Sequence, residues 1–143
     1  MLAGAYALHE LSVGTSLDIG PFQAATRLLP HWRPNAGLRL AAGGRVLAYT
    51  GDSGPSPQVV GLARDADLLV AEASYVDQVP PDSQLYLSSA RHAGRQAAQA
   101  GAGHLLLTHL LPGTDHRAAR AAARAGYDGD ISVATAGLVL ALP

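Results

Sequence analysis

The stretch Val46-Leu-Ala-Tyr-Thr-Gly-Asp-Ser-Gly-Pro-Ser-Pro57 leads from an apolar run into a turn holding an acid and a hydroxyl side by side, then into a proline-led segment. The run from Val46 to Thr50 fits a strand, the glycines at 51 and 54 break it, and Ser56 is placed to cap a helix opening at Pro57. Strand, tight turn and helix together make the unit of a partly parallel sheet, because a parallel neighbour is reached only through a crossover. The unit recurs downstream. Pro57 to Arg64 suits a short helix and Asp67 to Ala71 a short strand buried on both faces. Ser88 or Ser89 can cap a helix running to Ala100 with Gly101 as its stop, and His104 to His109 repeats the buried-strand pattern. Asp115 opens a third helix that ends near Gly126, and Ile131 to Ala134 and Leu138 to Leu142 close the chain as strands. Upstream, strands are expected at Tyr6 to Leu11, Phe22 to Leu29 and Gly37 to Leu40, the last paired with Val46 to Thr50 through a hairpin turn at Gly43-Gly44. The fold class is α/β, with a mixed sheet.

Composition sets the limits. The chain has 143 residues, of which 48% are hydrophobic, enough for one domain with a real core, and no linker or repeat divides it. Cysteine is absent, which excludes disulfides, thiolate metal ligands and a cysteine nucleophile. All ten basic residues are arginine, which excludes Schiff-base chemistry and a phosphate-loop lysine. The net charge is -1 and the arginines are scattered, so nothing suggests a large nucleic-acid footprint. No apolar run approaches the roughly 20 residues of a membrane span, and the first ten residues lack a basic segment and a cleavage pattern, so the expected location is the cytoplasm.

In open sheets of this kind functional groups gather where strands end at their carboxyl edges. Three runs end in chemistry: Val46 to Thr50 at Asp52, Asp67 to Ala71 at Glu72, and Leu105 to Thr108 at His109. Gly51-Asp-Ser-Gly54 also matches the residues around the nucleophile of chymotrypsin-like serine proteases, but a serine mechanism needs an oriented histidine base and an oxyanion hole. Here Pro55-Ser-Pro57 and a helix follow, so Ser53 reads as a turn residue whose hydroxyl bonds local backbone. Asp52, with glycines on either side, can bring both oxygens close to a cation, or can bond the amides of its own turn. His109, at a strand tip, can give a nitrogen to zinc or sit as a satisfied core histidine. His9 falls in an expected strand, His92 on a helix face, and His104 and His116 near element starts.

Four segments taken together resemble a known family: Tyr49-Thr-Gly-Asp-Ser-Gly-Pro55, Ala66-Asp-Leu-Leu-Val-Ala-Glu-Ala-Ser-Tyr75, Leu87-Ser-Ser-Ala-Arg-His-Ala-Gly94 and Leu105-Leu-Leu-Thr-His-Leu110. In order and spacing they look like the metallo-β-lactamase fold, in its ribonuclease Z-like and phosphodiesterase-like branch, from about Ser12 onward. The resemblance implies that Asp52 bridges two metal ions, zinc or manganese, and that His109 is a terminal ligand of one. It also implies that Glu72 is an acid working with a following histidine to pass a proton to the leaving group, and that His31, in Pro30-His-Trp-Arg-Pro-Asn-Ala-Gly37, lies beside the active-site mouth where it can touch substrate. The position of the relay histidine holds Tyr86. A phenol with a reference pKa near 10 is a poor proton shuttle at neutral pH, so Tyr86 is either a weak relay or a buried aromatic with its hydroxyl on Glu72. The family's amino-terminal His-x-His-x-Asp-His motif has no counterpart in residues 1–143.

The expectation is therefore the carboxy-terminal half of an αβ/βα sandwich, with helices on one face of the sheet and the other face uncovered. As an enzyme it would be a metal-dependent hydrolase of a phosphodiester or related ester, a nucleotide among the possibilities, completed by an amino-terminal half. The rival is a non-catalytic half-domain or interaction module whose open face binds a partner or a second copy. A third reading is an α/β ligand-binding domain with an anion site at the helix start of Asp115 or Ser88.

Overall fold

The computed structural model describes residues 10–142. Among them run β1 (Ser16–Ile19), β2 (Phe22–Leu29), β3 (Asn35–Ala42), β4 (Arg45–Tyr49), α1 (Pro57–Leu62), β5 (Leu68–Glu72), α2 (Ala90–Ala100), β6 (His104–Thr108), α3 (His116–Arg124) and β7 (Asp130–Val133). One turn of 3-10 helix at Pro81–Ser83 precedes α2. The seven strands form a single sheet whose spatial order, β1 to β7, is also their order along the chain.

The sheet changes character at β4. From β1 to β4 each neighbour is antiparallel, and the β3–β4 hairpin closes at Gly43 and Gly44 with φ of 57° and 76°, a left-handed pair that glycine alone adopts cheaply. From β4 to β7 each pair is parallel and joined through a helix. Crossovers of this kind are right-handed, so a succession stepping always in one direction puts every helix on the same face. In agreement, α1 touches β2 and β3, α2 touches β5 and β6, α3 touches β7, and α2 packs against both other helices.

The buried residues follow from that arrangement. Register aligns Ala48, Leu69, Leu105 and Ile131 in one row across the parallel strands, and all four are buried under the helices. Leu69 and Leu105 are wholly inaccessible, each stabilising the fold by about 1.5–3 kcal/mol. The helices meet them with small side chains, including Ala93, Ala97, Ala119 and Ala123. Close approach of α2 and α3 requires glycine at 94, where a β-carbon would stand 2.2 Å from the Ala123 carbonyl oxygen. Arg39, on the helix side of β3, donates to the carbonyls of Leu62 at 2.9 Å and Arg64 at 2.8 Å, capping the end of α1.

The opposite face has no helix among the described residues. Register puts Leu17, Ile19, Phe22, Leu28, Leu38, Leu40, Leu47 and Tyr49 on it. Ile19 is 53% exposed, Phe22 45% and Leu28 56%. That is an uncovered apolar sheet face, as the half-sandwich reading expects.

Other expectations fare differently. The strand at Tyr6 to Leu11, with His9, lies outside the described residues except for Glu10 and Leu11, which are not in a strand. Leu138 to Leu142 is not a strand: the amide of Leu138 turns back to the Thr135 carbonyl, and Val139 is almost fully exposed with no neighbouring strand among the described residues. β1 was not expected, because its four residues all lie exposed and only pairing with β2 defines it.

Candidate functional site

β4 ends at Tyr49, and Thr50 still donates its amide to Val70 at 3.1 Å, so the chain leaves the sheet only at Gly51. Gly51 has a φ of 59°, and a β-carbon there would lie 2.8 Å from Asn35 Oδ1. The Asn35 amide donates to the carbonyls of Thr50 at 3.0 Å and Asp52 at 2.8 Å, so β3 holds the turn from outside. Among the described residues no backbone amide donates to the Asp52 carboxylate. The side chain is not consumed in bonding its own turn and stands half-exposed.

Ser53 is buried, its hydroxyl donating to the Gly54 carbonyl at 2.9 Å as a turn residue does. Its amide donates to Glu72 Oε2. Glu72 is 2% exposed at the end of β5 and also accepts from Ser74 Oγ at 2.7 Å and the Ser88 amide at 3.1 Å. Burial pushes its carboxyl above the usual range, against the opposing pull of the Ser53, Ser74 and Ser88 donors and of His109 nearby. Ser88 Oγ in turn donates to the Ser53 carbonyl at 2.8 Å, which ties the start of the α2 segment to the Asp52 turn.

Ser74 carries the network to the surface. Its single hydroxyl proton goes to Glu72, so at 3.0 Å it accepts from the Nδ1–H of His109. That assigns the tautomer and leaves Nε2 as the free lone pair, the buried acid orienting the imidazole through one hydroxyl. His109 follows β6 with a φ of 57°, left-handed backbone at a residue that has a β-carbon. Such strain, of order 1–3 kcal/mol, persists where neighbours fix it and gathers at functional sites. Its Nδ1 lies 3.6 Å from Asp52 Oδ1, too far for a hydrogen bond but near enough to make the two side chains one rim.

The remaining candidates flank that rim. His31 Nδ1 is 2.9 Å from the Tyr86 carbonyl, so these two meet through backbone. Tyr86 is 37% exposed, and its hydroxyl is not the partner of Glu72: the serines at 53, 74 and 88 already fill the carboxylate. The reading of Tyr86 as a buried aromatic bonded to Glu72 is corrected accordingly. Ser74 and Ser88 were not recognised as parts of the site, although Glu72-Ala-Ser74 alternates on an extended chain and puts positions 72 and 74 on one side.

Asp52 and His109 offer the oxygen and nitrogen donors a zinc-like cation takes, but a catalytic zinc ordinarily has about three protein ligands. Among the described residues no group of three or more His, Asp or Glu is assembled. The described residues fit one edge of a metal centre rather than the whole of one. Among the described residues no helix is long and apolar enough to cross a membrane.

The mixed sheet with helices on one face, carrying an acid and an oriented imidazole on its carboxyl edge, has the metallo-β-lactamase fold of solved relatives. Comparison with known proteins agrees. The model of the β-lactamase superfamily domain matches residues 2–110. A probable metallo-hydrolase of Bacillus subtilis, YhfI, is 32% identical over 123 residues, covering 86% of this chain and 50% of that protein. The crystal structure of YhfI superposes with a TM-score of 0.83 at 31% identity, covering 90% of this chain and 53% of that one. A ribonuclease Z of Myxococcus xanthus is 41% identical over 103 residues, covering 70% of this chain and 34% of that protein. The chain belongs to the β-lactamase superfamily. It spans about half the length, or less, of these curated relatives.

Proposed function

We propose that this chain contributes the Asp52–His109 edge of a metal-dependent hydrolase acting on phosphodiesters or related esters. The carrying observation is the pair itself, 3.6 Å apart on neighbouring turns and backed by Ser74 and Glu72. The ester class draws support from the ribonuclease Z relatives. A divalent ion held there by Asp52 and His109 would supply an activated water at neutral pH and charge stabilisation for a developing oxyanion. Asp52 offers that ion an unshared carboxylate and His109 an Nε2 lone pair fixed by its tautomer. Glu72 holds the Asp52 turn through the Ser53 amide and the imidazole through Ser74, so one buried acid keeps both donors in place.

The missing donors would come from an amino-terminal half carrying the histidine motif and packed on the uncovered sheet face. The site is proposed as whole only in that assembly, with His31 and Tyr86 at its mouth. The second reading, a non-catalytic half-domain that uses the open face for binding, is favoured by the absence of a third ligand among the described residues.

Zinc and manganese content, measured on the chain alone and on the chain joined to a histidine-motif half, separates the two. The hydrolase reading expects weak retention alone, strong retention and hydrolysis of bis-para-nitrophenyl phosphate when joined, and loss of both in Asp52→Ala and His109→Ala but not in Ser53→Ala. A joined protein that holds no metal, or one indifferent to Asp52 and His109, refutes it.

A further inference from the structure

The loop tethered to the Asp52 turn carries an aromatic surface that the edge chemistry does not use. Trp32 is the only tryptophan of the chain and is 65% exposed, in the connection between β2 and β3. An indole of that exposure withholds from the core one of the largest apolar areas a side chain can bury. The loop beneath it is firmly tethered. The Gly54 amide donates to the Pro30 carbonyl at 2.9 Å, His31 Nδ1 meets the Tyr86 carbonyl at 2.9 Å, and Asn35 holds the Asp52 carbonyl at 2.8 Å. Both ends of the loop are thus fixed to the turn that presents Asp52, and its middle to the segment leading into α2. The Arg33 guanidinium lies over the indole, 4.7 Å from the ring centroid, and the His31 ring lies 5.9 Å away at 56°. An arginine stacked on one face braces the ring and can cover only that face, while adding positive charge beside it. A flat apolar face next to a cation, on a rigid loop, suits a ligand that is itself flat and anionic. Nucleotides have that chemistry, since every base presents a π-face and carries its phosphate nearby.

We infer that Trp32 is a stacking platform for a nucleobase adjoining the phosphodiester received at the Asp52 edge, with Arg33 serving the neighbouring phosphate. The location of the scissile group rests on the hydrolase reading above; the stacking itself does not.

Because the chain has one tryptophan, its fluorescence reports on this ring alone. Titration of the metal-free chain with adenosine 5′-monophosphate should quench that emission saturably. By calorimetry the nucleotide should bind about tenfold more tightly than ribose 5-phosphate, the difference being the base. Trp32→Ala should remove that advantage and Trp32→Phe should keep most of it, with circular dichroism unchanged in both because the side chain is at the surface. Equal affinity for the two ligands, no binding of either, or an undiminished preference for the nucleotide in Trp32→Ala overturns the inference. Metal retention by Asp52 and His109 is measured separately. A chain that holds metal when joined to its other half but ignores the base loses the platform and keeps the hydrolase, and the converse result does the reverse.

Discussion

Glu72→Gln keeps the shape of the buried acid while removing its charge and one acceptor. Oε1 is the busier oxygen, accepting from Ser74 at 2.7 Å and from the Ser88 amide at 3.1 Å, so the amide oxygen of glutamine must take that place. The new NH2 then faces the Ser53 amide, a donor against a donor in a site where both residues are 2% exposed. One unsatisfied buried donor costs about 1–3 kcal/mol. The two remaining bonds lose their charge assistance, roughly half their strength. Relief of the carboxylate's desolvation offsets part of this, leaving a net loss of about 2–3 kcal/mol at neutral pH. The sign of the pH dependence follows from burial. Burial holds the native carboxyl above the ordinary glutamate range, so its stabilising contribution is full below that ordinary range and is lost as pH rises through the higher native pKa. Glutamine does not titrate, and the gap between wild type and variant should narrow from acid towards neutral. Urea unfolding followed by circular dichroism at several pH values measures both. A variant within about 0.5 kcal/mol of wild type at neutral pH would refute the network as described. A gap that widens as pH rises would show that the three donors outweigh burial.

Four shorter tests accompany it. His109→Gly removes the left-handed strain and should raise the thermal midpoint by about 2–4 °C for roughly 1 kcal/mol while metal retention falls, two readouts moving in opposite directions. Ser74→Ala frees the imidazole tautomer and should weaken zinc binding about tenfold or more in a chelator competition, with Ser53→Ala as the unaffected control. Gly54→Ala places a β-carbon 2.4 Å from the Leu85 carbonyl oxygen and should lower stability by about 1–3 kcal/mol by urea unfolding, because both partners are backbone. Ile19→Lys with Phe22→Lys, a directly paired couple on the uncovered face, should shift sedimentation of the chain from associated species to monomer; a wild type already monomeric would refute the stickiness of that face.

Much of the fold is written locally. Phe22–Leu29 coincides with its expected strand, and α2 begins after Ser89 and stops at Gly101, whose φ is 67°, because caps and alternation are short-range signals. The pairing of Asp52 with His109 was also readable, since both end apolar runs and strand ends share an edge. What failed depends on partners elsewhere. Ser16–Ile19 is a strand because β2 lies beside it, whereas Leu138 to Leu142, more apolar, has no neighbouring strand among the described residues and is irregular. The filling of Glu72 by Ser53 and Ser88, residues 19 and 16 positions away, and the exclusion of the Tyr86 hydroxyl follow from tertiary approach that no local pattern encodes.

Every described strand pairs only with its neighbours along the chain, the edge strands β1 and β7 with one each and the five between them with two. A nascent chain can therefore add strands in the order they leave the ribosome, the antiparallel hairpins of β1 to β4 at once and each parallel strand only after its crossover helix. The slow steps are then the three parallel pairings, each of which waits for its crossover helix to close the loop.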